Sequence, residues 1–132
     1  MAILDASALL AHLRDEPGAQ VVGDAIAEGA AISAVNLAET LGRAADRGAD
    51  PSELVKRLTR AGLLDGAVVV EPFTAEDAID VAHLRPLTRD AGLSLGDRAC
   101  LALARRLGVP ALTADTSWLG IERLGVELVQ IR

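Results

Sequence analysis

The stretch SLGDRACLALARRLGVPALTAD, residues 94 to 115, decides how the chain is read. Ser94 followed three residues later by Asp97 has the form of a capping box, so a helix opens there. From Ala99 to Ala104 that helix is apolar on nearly all sides, which predicts a central, buried helix. Gly108-Val109-Pro110 stops it, and ALTA then reads as a short strand ending at Asp115. A buried helix leading into a short apolar strand is a unit of α/β architecture. What needs explaining is the aspartate at each end of it.

The flanking sequence repeats the pattern. Ala2 to Leu4 reads as a buried strand ending in Asp5, and SALLAHLRDE as the helix after it, broken at Pro17-Gly18. A helix over Ala19 to Glu28 closes at Gly29, and AAIS is a second strand ending near Ser33. AVNLAETLGRAADRG is amphipathic, with Ala34, Leu37, Ala38, Leu41 and Ala45 on one stripe and Asn36, Glu39, Arg43 and Asp46 on the other. Asp50 as N-cap and Pro51 at the first helical position open another helix. AVVVEPF is a third strand, Thr74 to about Arg89 a helix that Pro86 must kink or interrupt, and VELVQI a fifth strand at the C-terminus. Strands alternating with helices predict a single α/β domain over residues 1–132, with a central, mostly parallel five-stranded sheet and helices on both faces.

Composition bounds the function. The 132 residues are 51% hydrophobic, yet Tyr is absent and Phe and Trp occur once each, so the core is built from Ala, Leu and Val. The one cysteine, Cys100, cannot form an internal disulfide and belongs in the apolar run as a small buried residue, which fits a reducing compartment. The N-terminus has no basic leader, and no apolar stretch approaches the ~20 residues that span a bilayer. A soluble cytoplasmic protein is expected. The net charge of −6 opposes a nucleic-acid partner at face value. That objection weakens if carboxylates converge on divalent cations. Residues 83 to 107, moreover, hold five arginines (85, 89, 98, 105 and 106) against Asp90 and Asp97, a local balance of +3.

In open parallel sheets ligands bind beyond the carboxyl ends of the strands. Asp5 and Asp115 follow strands directly, Asp97 lies in a first helical turn, and Glu39 one turn into the helix after the second strand. Each also has a local reading: Asp5 and Asp97 as caps, Asp115 as a turn residue, Glu39 as a solvated partner of Arg43. Unpaired carboxylates about 4–5 Å apart repel by roughly 3–4 kcal/mol at an effective dielectric near 20. A shared crevice therefore demands protons or a cation. Mg²⁺ or Mn²⁺ suits an all-oxygen donor set completed by phosphate oxygens, which points to phosphodiester hydrolysis.

AILDASALLA, ISAVNLAETLGRA, SLGDRACLALARRLGVPALTAD and the following Trp118 together resemble a PIN-domain ribonuclease, in particular the VapC toxins of bacterial type II toxin-antitoxin pairs. The resemblance covers essentially the whole chain. It implies an Mg²⁺- or Mn²⁺-dependent endoribonuclease with Asp5, Glu39, Asp97 and Asp115 as catalytic carboxylates, and Asp5, Asp97 and Asp115 as metal ligands. Ser7 and Thr113 match supporting hydroxyl positions. Thr116 and Ser117 stand where some relatives carry a further acidic residue, which leaves the number of metal ions open. The resemblance also implies an RNA substrate, a cognate small antitoxin whose tail blocks the acidic crevice, and a homodimer.

Two other readings stay open on sequence. One is a PIN-fold RNA-binding module without activity. The other is an Mg²⁺-dependent phosphatase-like enzyme built on LDAS, opposed by Ser7 where a second aspartate is wanted and by Lys56, the only lysine, on an exposed helix face.

Overall fold

The structure, a computed structural model, describes residues 1–132. Five strands and six α-helices follow in the order β1 (Ala2–Leu4), α1 (Ala6–Leu13), α2 (Ala19–Glu28), β2 (Ala30–Ser33), α3 (Ala34–Asp46), α4 (Pro51–Arg60), β3 (Val68–Glu71), α5 (Ala75–Thr88), α6 (Leu95–Leu107), β4 (Ala111–Thr113), a 3₁₀ turn at Thr116–Trp118, and β5 (Leu128–Gln130). All pairings are parallel, in the order β3-β2-β1-β4-β5. The chain winds outward from β1 through β2 to β3 and later returns to β1's other side with β4 and β5. The winding therefore reverses between β1 and β4, the place where such sheets leave a crevice.

Alternation along these short strands splits the core in two. Ala2 and Leu4 of β1 join Ala30, Ile32 and Leu112 against Leu9 of α1 and Val22 and Ile26 of α2. Ile3, Ala31 and Ala111 point the other way, against Ala99 to Ala104 of α6, Val81 and Leu84 of α5, and Trp118. The small residues of α6 let it lie close on the sheet, as the near-continuous apolar run predicts. Burial and the negative charges of Asp5, Asp97 and Glu39 push the Cys100 thiol well up, so it stays a neutral core residue. No helix is long and apolar enough to cross a membrane.

Two local expectations need correction. The apolar stripe assigned to α3 is half-exposed or exposed, and its buried edge is Asn36 and Thr40. Tertiary contact decides this: Asn36 reaches across to α6, and Thr40 Oγ1 donates to the Asn36 carbonyl one turn back at 2.8 Å. The second concerns Pro86: of the two effects expected, a kink or an interruption, the interruption does not occur, because α5 continues to Thr88. Pro86 and Ala82, whose carbonyl loses its intrahelical donor, both lie on the exposed face near the helix end, where water serves as the partner.

Candidate active site

The site starts from the last residues of two neighbouring strands. Asp5 leaves β1 in extended conformation and caps α1, its Oδ1 accepting from the Ala8 amide at 2.8 Å and from Ser7 Oγ at 2.6 Å. Its Oδ2 accepts from Thr113 Oγ1, the last residue of β4, at 2.5 Å. Both hydroxyls also accept a backbone amide: Ala114 N on Ser7 at 2.9 Å and Asp115 N on Thr113 at 3.0 Å. Each hydroxyl has one proton, and it points at Asp5. The network thus fixes the Asp5 carboxylate and ties the ends of β1 and β4 together.

The opposite wall comes from α3 and α6. Ser94 and Asp97 form the capping box, the Asp97 amide donating to Ser94 Oγ at 3.1 Å and Asp97 Oδ2 accepting from Ser94 N at 2.9 Å. Asp97 Oδ1 takes no protein donor. Asn36 Nδ2 donates to the Gly96 carbonyl at 3.0 Å and lies 3.4 Å from Glu39 Oε1. Gly96 matters because it has no side chain: a Cβ there would sit 1.6 Å from Glu39 Oε1. Asp115 caps the 3₁₀ turn through Oδ1, which accepts from Ser117 N at 2.8 Å, and its Oδ2 is free of protein donors.

One cavity of about 240 Å³ is lined by Asp5, Glu39, Asp97 and Asp115 together, with Ser7, Asn36, Arg43 and Arg132 completing it. All four sequence-selected carboxylates therefore face the same space. Thr113 is buried and does not line the cavity, but its hydroxyl donates to Asp5, which does. Neither histidine nor Lys56 lines the cavity, and Lys56 instead pairs with Glu53 at 3.4 Å. Sequence reasoning missed Asn36 and Gly96, and read Arg43 only as a helix neighbour of Glu39. The i, i+3 spacing of Asn36 and Glu39 was the available signal; nothing marked Arg132.

Burial raises the Asp5 pKa, the hydrogen bonds from Ser7, Thr113 and Ala8 oppose that rise, and Asp97 adds to it. Glu39 is raised by burial and then by Asp97, with Arg43 pulling the other way. The carboxylates thus feel one another across the cavity. No three carboxylate, histidine or cysteine side chains stand close enough together to form a complete ligand cluster. The oxygen-only donor set, the unpartnered Asp97 Oδ1 and Asp115 Oδ2, and the buried, orphaned Asn36 Oδ1 instead suit a hard cation held by few carboxylates and keeping several waters.

The chain belongs to the PIN domain family, whose profile matches residues 2–124. No curated protein matches it. Among solved structures it is similar to that of FitAcB from Neisseria gonorrhoeae, with 23% identity, 99% of this chain and 98% of that chain covered, and a TM-score of 0.73. A toxin-antitoxin complex from Klebsiella pneumoniae matches at 19% identity, 100% and 98% coverage, and a TM-score of 0.69. VapC20 of Mycobacterium tuberculosis, described as a sarcin-ricin loop cleaving toxin, matches at 18% identity, 92% and 96% coverage, and a TM-score of 0.67. At these identities the likeness is one of fold.

Proposed function

We propose that this PIN domain, taken over residues 1–132, is a metal-dependent endoribonuclease and the toxin of a toxin-antitoxin pair. Asp5, Glu39, Asp97 and Asp115 are the catalytic carboxylates, and Asp5, Asp97 and Asp115 are the ligands of Mg²⁺ or Mn²⁺, with water bridging from the ion to those that do not reach it directly. The observation that carries the reading is the single cavity lined by four carboxylates from four separate segments, at the switch point of the sheet. When bound, a divalent ion supplies a more acidic water and neutralises charge on the phosphate.

The chain's own groups do the rest. Ser7 and Thr113 hold Asp5 in one rotamer, so the cavity is organised before substrate arrives. Glu39, whose pKa burial raises, accepts a proton more readily than an ordinary carboxylate and is placed to deprotonate or orient the attacking water. Arg43 lines the same space as a cation for the phosphate.

An RNA substrate is proposed because the chain is a PIN domain and a protein of similar fold, VapC20, is described as a sarcin-ricin loop cleaving toxin. A cognate antitoxin is proposed because toxin-antitoxin complexes recur among the similar structures. A basic side chain of that antitoxin entering the acidic cavity would inhibit the enzyme. A homodimer in the cytoplasm completes the reading.

The test is RNA cleavage by the wild type and Asp5→Asn, with Mg²⁺ or Mn²⁺ and with chelator. The expected result is metal-dependent cleavage that falls about 10²-fold or more in the variant. Cleavage unaltered by chelator or by the substitution contradicts the proposal.

A further inference from the structure

A second, smaller cavity of about 180 Å³ lies where the last turn of α5 meets the first turns of α6. It is lined by Arg85, Thr88, Arg89, Gly92, Leu93 and Arg98. Three arginines thus line one small space in a chain whose net charge is −6. No carboxylate neutralises them: the protein's two ion pairs, Lys56 with Glu53 and Arg106 with Asp77, involve none of the three. Asp90, next to Arg89, and Asp97, next to Arg98, make no ion pair with them either.

Local structure explains part of this. Arg85 in the last turn of α5 and Arg89 at its C-cap lie where the helix dipole favours a cation. Arg98 is different. It sits near the N-terminus of α6, where the dipole disfavours positive charge, and the one hydrogen bond of its side chain is a 3.4 Å contact to the Val81 carbonyl. Three like charges around one cavity repel one another, and an anion between them removes that repulsion.

The position of the cavity says which anion. Asp97 lines the acidic cavity and Arg98 lines the arginine cavity, so adjacent residues of α6 face the two sites. With a divalent ion in the acidic cavity, as the proposed function has it, a ligand reaching both sites presents an anion to each, and a chain of phosphodiesters does so. We propose that Arg85, Arg89 and Arg98 form a phosphate subsite that holds the RNA backbone one or more nucleotides from the scissile bond. The choice of RNA rests on the nuclease reading, whereas the anion pocket itself stands on the arginines that line it.

The experiment measures RNA binding as a function of salt in the Asp5→Asn background, alone and with Arg85→Gln, Arg89→Gln and Arg98→Gln, alongside cleavage by the same arginine variants in otherwise wild-type protein. For single-stranded RNA each lost phosphate contact reduces the slope of log K against log salt by about 0.7, equally for all sequences. In cleavage, KM for a long RNA rises in the arginine variants with kcat retained, and a substrate too short to reach the pocket shows no change. A fold defect would alter both substrates. If the wild type cleaves RNA but slopes and long-substrate KM are unchanged in the variants, the subsite is overturned and the pocket is left to an acidic protein segment. If the slopes fall but the wild type cleaves nothing, the nuclease reading fails and the phosphate pocket stands. Absence of any RNA binding overturns both.

Discussion

Asp97 gives one carboxylate oxygen to the Ser94 amide and turns the other toward the cavity; Asp115 does the same through the Ser117 amide. The capping role and the chemical role are therefore not rivals. A cap fixes the rotamer of the carboxylate, and a fixed carboxylate meets a ligand without an ordering cost. Asp5 goes further, both of its oxygens being hydrogen-bonded. Glu39 is the exception: it caps nothing and owes its place to the gap at Gly96 and to Asn36. Gly96→Ala is predicted to push the Glu39 carboxylate aside, because the clash falls on the end of a flexible side chain and Gly96 is not in the left-handed region. Cleavage rate should fall about 10- to 100-fold, the usual effect of disturbing a supporting residue, with the melting temperature nearly unchanged. A large loss of stability with normal activity per folded molecule would contradict this.

At the scale of elements, Gly18 joins α1 to α2 with φ of 95°, and a Cβ there would stand 2.7 Å from the Ile131 carbonyl just beyond β5. Neither the backbone conformation nor the neighbouring main chain has room to yield. Gly18→Ala is predicted to destabilise the fold by about 1–3 kcal/mol, read by chemical denaturation, while cleavage per folded molecule is retained. This break was legible in Pro17-Gly18, and most strands were legible for the same reason: three or four apolar residues bounded by Gly, Pro or Asp leave little choice. The positions of Asp5 and Asp115 after strands and of Asp97 in a first helical turn were also legible, since strand ends and helix starts are punctuated locally. The face of α3 was not legible. Its apolar stripe suggested one buried side, yet Asn36 and Thr40 are buried because a polar contact to the Gly96 carbonyl, sixty residues away in sequence, turns the helix. Hydrophobic periodicity carries no information about such a partner.

At the scale of the molecule, the acidic balance and the proposed RNA substrate are reconciled by segregation. Carboxylates line one cavity and arginines border the next, both at the first turn of α6. The acidic cavity strains the fold. Folded-state pKa values of Asp5 and Glu39 lie above their unfolded values, so these groups favour folding most below the unfolded values, and that contribution is lost as pH rises through the folded ones. A divalent cation bound there, as proposed, would offset the charge in the ionised state, and its binding would weaken as pH falls and the same groups take up protons.

Thermal unfolding with and without Mn²⁺, from neutral to mildly acidic pH, therefore tests the central claim most directly, using wild type, Asp5→Asn and Glu39→Gln. With free Mn²⁺ at about 100 times Kd, linkage adds about 2.7 kcal/mol, a rise on the order of 10 °C for a domain of this size. The wild type should show that rise at neutral pH and lose it progressively on acidification; Asp5→Asn should lose most of it, and Glu39→Gln, which removes no proposed ligand, should keep most of it. An unshifted wild type, or an equal shift in all three proteins, would contradict a metal site built from these carboxylates.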